Sequence, residues 1–203
     1  MGFYENKILP HVINLTCGLK PIRIQRQKIV PSAAGTILEV GMGSGLNMPF
    51  YEKDKVDIIY GLEPNIKARK MAKNASKKAN LNVEMIGLDG QDIPLDKNSV
   101  DTIVLTYTLC TIPDAKRAMA EMRRVLKPGG TLLFSEHGRA PDAAVQKMQD
   151  RINPFWKVIG GGCNVNRDIS NLIKGGGFMF ESLEEQYLPG PKFTTYTYWG
   201  SAK

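Results

Sequence analysis

The chain has 203 residues, 42% of them hydrophobic and 23% charged, with a net charge of +7 at neutral pH; that size suits one α/β domain with a sizeable core, and the balanced composition excludes a disordered or low-complexity chain. No apolar run approaches the roughly 20 residues of a membrane-crossing helix and no secretory leader is recognisable, so a cytoplasmic protein is expected. Cys17, Cys110 and Cys163 are too widely spaced for a zinc or redox-dithiol motif, so reduced thiols and no metal are expected.

Residues 2–30 read as a helical appendage, with Tyr4, Ile8, Val12 and Leu15 at three- and four-residue steps and Pro10 interrupting. The division expected is an N-terminal lid or appendage over 1–30 and one domain over 31–203. From Thr36 the pattern changes to short apolar runs separated by polar loops and helical segments. Strands are predicted at Thr36–Val40, Val56–Leu62, Val83–Leu88, Val100–Leu105 and Thr131–Ser135, with helices at Leu46–Glu52, Ile66–Ala79 and Asp114–Leu126, the last closed by Pro128-Gly129-Gly130. Strands alternating with helices imply a mostly parallel sheet covered on both faces. Residues 138–175, containing Phe155, Trp156 and the Gly160-Gly161-Gly162 run, read as a helical insertion over the sheet edge before two further strands, Phe178–Leu183 and Phe193–Ser201. The basic residues are scattered; the densest group, from Lys67 to Lys78, falls on one helix without interleaved aromatics, which disfavours nucleic acid as a partner.

The first strand runs into Glu39-Val40-Gly41-Met42-Gly43-Ser44-Gly45, a turn whose glycines allow a ligand close to the backbone. Such a loop alone serves several cofactors. The dinucleotide version needs a third glycine where Leu46 stands, and Glu39 would repel a pyrophosphate; a cofactor bearing ammonium and sulfonium charges is complementary to it. Glu63 ends the second strand 22 residues after Gly41, near the spacing at which a carboxylate meets a ribose diol. Asp89 after the third strand is placed to accept from an adenine amino group, with the following amide of Gly90 donating to the ring. Acidic residues at successive strand ends together point to S-adenosylmethionine. The fourth strand finishes in Thr106-Tyr107-Thr108-Leu109-Cys110, at the crevice where the strand order reverses and open sheets bind ligands.

On Leu38–Gly45, Leu62–Pro64, Leu88–Pro94 with Ser99-Val100-Asp101, and Arg124–Gly130, the chain resembles the class I S-adenosylmethionine-dependent methyltransferases, in the small-molecule group that includes the quinone-biosynthesis enzymes. The resemblance implies a Rossmann-like seven-stranded sheet with helices on both faces. Phe134-Ser135-Glu136-His137, Pro154–Gly160, Gly162-Cys163 and Thr108-Leu109-Cys110 look like the methyltransferase-like thiol S-methyltransferases and their bacterial relatives. It implies Gly41, Gly43 and Gly45 under the methionine part, Glu39 at its amino group, Glu63 at the ribose, Asp89 and Gly90 at the adenine, and Thr106 beside the methionine tail. Membrane-associated members of that group carry a hydrophobic anchor before the catalytic domain; here the amphipathic Phe3–Leu19 stands there, as a lid with Tyr4 inward or a weak membrane-surface contact.

The expected reaction is methyl transfer to a small, apolar acceptor: a thiol, a quinone-like compound or a lipid amine. The sulfonium already activates the methyl group, so the protein must align the nucleophile and exclude water. His137, just after the fifth strand, is the candidate catalytic residue, with Glu136 and Cys110 as further proton acceptors; the competing reading for His137 is a loop support and for Cys110 and Cys163 ordinary packing. Phe155 and Trp156 are candidates for an acceptor pocket wall or for core. An RNA-binding methyltransferase, motivated by the charge, and an inactive cofactor-binding partner protein are the alternatives.

Overall fold

The computed structural model describes residues 14–87 and 90–203. Seven strands, β1 (Gly35–Val40), β2 (Val56–Leu62), β3 (Val83–Gly87), β4 (Val100–Thr106), β5 (Leu126–His137), β6 (Phe180–Tyr187) and β7 (Tyr196–Ala202), form one sheet in the order β3-β2-β1-β4-β5-β7-β6. The first five run parallel; β7 is antiparallel to both β5 and β6. The order reverses between β1 and β4, which opens a crevice at their carboxyl ends.

Strands covered on both faces need apolar side chains in both directions, and this is how β1 and β4 read. Leu38 and Val40 face one core with Ile103, Leu105 and Phe134; Ile37 faces the other with Ile59, Val104 and Leu133. Helix α1 (Lys20–Ile29) and helix α2 (Ile66–Ala79) cover the second core, while α3 (Ala115–Val125), α4 (Ala143–Ile159) and α5 (Ile169–Gly175) cover the first. A short helical turn, α6 (Lys192–Thr195), precedes β7. Residue Asn65 caps α2 by accepting from the amides of Lys67 and Ala68, and Asn80 closes it in the left-handed conformation, which fixes that helix at the predicted bounds.

Four expectations change, the first being the fifth strand: β5 starts at Leu126 rather than Thr131, so Pro128-Gly129-Gly130 lies within it. The helix predicted at Leu46–Glu52 is a single 3-10 turn, Met48–Phe50: Pro49 has no amide to donate, a cost that so short a segment does not offset, whereas the 17-residue α4 continues through Pro154. Lys192–Thr195 is helical, because the amide of Thr194 turns back to the carbonyl of Pro191 at 3.0 Å, so the last strand starts at Tyr196 rather than Phe193. The preceding strand starts at Phe180 rather than Phe178 and continues to Tyr187.

Helix α1 lies against β5 and β7. Its Gln25, Arg26 and Ile29 are buried at helical spacing, and the Lys28 ammonium sits 3.8 Å from the centre of the Trp199 ring. Upstream of it, Ser44 of the glycine turn donates to Asn14. No helix among the described residues is long and apolar enough to cross a membrane.

Candidate active site

The turn after β1 is built by positive φ angles at Gly41, Gly43 and Gly45, a region costly for any residue with a Cβ. A Cβ on Gly41 would fall 2.2 Å from Thr108, so this glycine is required for packing against the end of β4. One on Gly43 would meet nothing nearer than the Gly41 carbonyl at 4.0 Å, leaving an open cradle at the middle of the turn. Gly45 lies against α2, where a Cβ would come within 2.9 Å of Ala75.

Glu63, at the end of β2, reaches across this turn. Its carboxylate accepts from the Gly43 amide at 2.9 Å and the Asn65 amide at 2.8 Å. Burial raises its pKa, and these two amides and Arg69 pull it back. Arg69 is not on the solvated face expected of the basic helix: its guanidinium donates to the carbonyls of Glu63 and Gly87, tying the ends of β2 and β3 together. Gly90 is buried against Val40 and Ile112. Asp89, the adenine candidate, lies outside the described residues, as does Tyr4 of the N-terminal segment.

Glu39 takes a different position from the one expected. It is 1% exposed, and both oxygens are committed within the protein, one to the Tyr51 hydroxyl at 2.6 Å and one to the Asn47 amide at 2.9 Å. Burial lifts its pKa to about 7, against the opposing pull of Tyr51, Asn47 and Arg26. Asn47 also links Glu39 to Arg26, whose guanidinium donates to the Asn47 side chain at 2.7 Å and to the Thr106 hydroxyl at 2.6 Å. Thr106 is thereby occupied by Arg26 and Asn47 at the end of β4. The Nε of Arg26 is buried without a partner. Arg26 went unnoticed in the sequence because an arginine on an amphipathic helix looks like a solvent-facing residue; its i, i+3 relation to Ile29 was the available signal.

Beyond Thr106 the backbone turns sharply through Tyr107, which has a φ of +52°, an uncommon state for a bulky residue and one concentrated at ligand sites. The next amides, of Thr108 and Leu109, both donate to one oxygen of Glu136, at 2.7 and 3.1 Å. The other oxygen is buried without a partner, and burial raises the Glu136 pKa to about 7. Glu136 therefore shapes the β4 loop.

His137 ends β5 beside the Tyr107 ring, with the centroids 6.3 Å apart. Its Nε2 lies 3.2 Å from the Cys163 sulfur, which also receives the Trp156 indole N–H at 3.4 Å. Although burial pulls the His137 pKa down, the Cys163 sulfur raises it overall. The Cys163 thiol is lowered, first by its hydrogen bond with Cys110 and then, against burial, by His137; Cys110 is raised by the same pairing. The loop carrying Cys163 is fastened to the β4 loop by Asn164, whose amide and side chain both donate to the Cys110 carbonyl, at 2.9 and 2.8 Å. Cys110 is buried and Cys163 partly so, and with His137 they form one cluster between the β4 loop and the chain after α4. Trp156 joins them and packs edge-on against Phe193, whereas Phe155 is 73% exposed.

Glycine turn, Glu63 and the β4 loop thus meet at the carboxyl ends of β1, β2 and β4, an arrangement that accepts an adenosine-bearing cation. The orphaned Arg26 nitrogen and the open face of Gly43 fit such a group, the one calling for an acceptor and the other leaving room.

Comparison with known proteins agrees with this geometry. Residues 38–134 match the family model described as a methyltransferase domain. A thiol S-methyltransferase of Rattus norvegicus is 34% identical over 159 residues, 76% of this chain, which spans 64% of that relative's length. A phosphatidylethanolamine N-methyltransferase of Cereibacter sphaeroides is 27% identical over 60% of this chain and 62% of its own length. Among solved structures, a SAM-dependent methyltransferase of Thermotoga maritima superposes with a TM-score of 0.66 at 19% identity, covering 98% of this chain and 97% of that one. The fold is that of the class I methyltransferases, whose cofactor is S-adenosylmethionine.

Proposed function

We propose, from the premise that this chain carries a class I S-adenosylmethionine-dependent methyltransferase domain, that it transfers the methyl group to a small apolar acceptor, and that the acceptor is a thiol. The observation that carries the reading is the open glycine turn faced by the Glu63 carboxylate at the point where the strand order reverses.

When bound, adenosylmethionine would supply an electrophilic methyl group on a sulfonium for an acceptor lone pair, with the proton of a thiol acceptor lost to solvent. The chain's own residues do the holding. Gly41, Gly43 and Gly45 lie under the methionine part, Glu63 accepts from the ribose hydroxyls, and Asp89 with Gly90 receives the adenine. Arg26, braced by Thr106 and Asn47, offers its unpartnered Nε to the methionine carboxylate. Glu39 acts behind that wall, linked to Arg26 through Asn47, instead of touching the amino group. The segment from Asn14 to Leu19 closes over the glycine turn, supported by the Asn14–Ser44 hydrogen bond.

In this reading the acceptor lies beside Cys110, His137 and Cys163; it is supported by their clustering and by the Tyr107 and Trp156 rings in contact with His137 and Cys163. A soft, partly apolar wall suits sulfur better than a charged amine, and the thiol S-methyltransferase resemblance points the same way. A labelled-methyl transfer screen over alkyl thiols, phenols, quinols and phospholipids tests this directly. Label in the thiols is expected; label confined to quinols or phospholipids overturns the acceptor assignment while leaving the methyl transfer standing.

A further inference from the structure

Cys110, His137 and Cys163 come from three separate parts of the chain, the β4 loop, the end of β5 and the glycine turn after α4, and each brings one donor atom into a group whose members all lie within 4.8 Å of one another. The wide sequence spacing gave no sign of this and led to the expectation of no metal. Folding creates the cluster: positive φ at Gly161 and Gly162 reverses the chain after α4, and Asn164 then holds the returning strand of chain against the Cys110 carbonyl. All three cysteines are free thiols.

We propose that Cys110, His137 and Cys163 form a three-ligand site for a thiophilic divalent cation such as zinc, with its fourth position left for the sulfur of the methyl acceptor; this rests on the thiol acceptor reading above.

Two sulfurs and one imidazole are a donor set that zinc takes in catalytic sites, where a fourth position stays open to water or substrate. Around a tetrahedral ion with bonds of about 2.0–2.3 Å, neighbouring donors stand about 3.6–3.8 Å apart. The 3.2 Å between His137 Nε2 and Cys163 Sγ is already close to such an edge, and all three donor atoms lie within 4.8 Å of one another, about 1 Å wider than a tetrahedral edge. The Trp156 N–H aimed at the Cys163 sulfur is the outer contact that a ligating thiolate uses. Placement also fits the role. The cluster lies at the carboxyl ends of β4 and β5, across the crevice from the glycine turn.

Coordination replaces the acceptor's S–H bond by a sulfur–metal bond, releasing the proton to solvent. The sulfur keeps a lone pair for the methyl carbon, and the thioether product, neutral and a weak ligand, leaves the metal. No oxidation state changes.

Metal binding is measured on the full, reduced chain without methyl donor. One zinc per chain is expected by competition with a chromophoric chelator, and Co2+ should give a thiolate charge-transfer band whose ligand-field pattern shifts when a simple alkyl thiol is added. Cys163→Ser and His137→Ala should each weaken the metal by at least about 100-fold, beyond the effect usual for an outer partner, while still binding adenosylmethionine with wild-type affinity in calorimetry, which shows that they fold. Cys17→Ser should keep the metal. Binding of zinc no tighter in wild type than in Cys163→Ser overturns the site, and a cobalt spectrum insensitive to thiol, or loss of metal in Cys17→Ser, overturns the open fourth position. Failure of the methyltransferase reading would show separately, as a chain that does not bind adenosylmethionine.

Discussion

At the scale of single residues, Gly41 and Gly43 separate packing from binding. Both have positive φ, so alanine costs about 1–2 kcal/mol at either from the backbone alone. Gly41→Ala adds a collision with Thr108 and is expected to lower the melting temperature more than Gly43→Ala does, whereas Gly43→Ala should lose most of the cofactor affinity while still melting cooperatively. Equal affinity in wild type and Gly43→Ala by calorimetry would remove the turn from the site. Arg26→Gln keeps a hydrogen-bonding group but loses the charge, and should raise the KM for adenosylmethionine about tenfold, the size of one charge-assisted hydrogen bond, with little change in kcat. What could be read from sequence at this scale was Glu63 as an acid at the end of β2, because strand β2 pairs directly with β1 and so ends beside the glycine turn. Arg26 and the Cys110–His137–Cys163 group were not legible, since their meaning depends on which distant segments pack beside them. Glu39 was legible as an acid beside the turn but not as one consumed by Tyr51 and Asn47.

At the scale of elements, the strands were the readable part. Short apolar runs such as Ile103-Val104-Leu105 mark buried strands, and β2 and α2 begin and end where the pattern places them. The element after the glycine turn failed because seven residues with Pro49 near their centre cannot hold a helix, a constraint outweighed in the reading by the expectation that such turns open one. Segment 1–19 carries a prediction of its own. Its deletion should speed adenosylmethionine dissociation, since it removes Asn14 from Ser44, while leaving the sheet intact. Dissociation followed by stopped-flow fluorescence, with liposome flotation of the full and shortened chains alongside, distinguishes a lid from a surface anchor; an unchanged off-rate with lost flotation refutes the lid.

At the scale of the whole molecule, the buried acids make stability depend on pH. Glu39 rises from 4.5 to about 7 on burial, so between these values the folded chain holds more protons than the unfolded one. Stability from this group is therefore greatest at the acid end and declines as pH rises towards 7, by up to about 3 kcal/mol. Glu39→Gln should flatten that slope: the difference between melting temperatures at pH 5.5 and pH 8.5 should shrink relative to wild type, and an unchanged difference would show that Glu39 is ionised throughout. Paired comparison cancels the general effect of a net charge of +7.

All of these expectations depend on adenosylmethionine lying across the glycine turn with its ribose on Glu63. Isothermal titration calorimetry of the donor, or of its demethylated product, into wild type and Glu63→Ala is the most direct measurement. One site per chain, weakened at least about tenfold by the substitution, is the result expected; the same affinity in both proteins, or a preference for NAD, would contradict it.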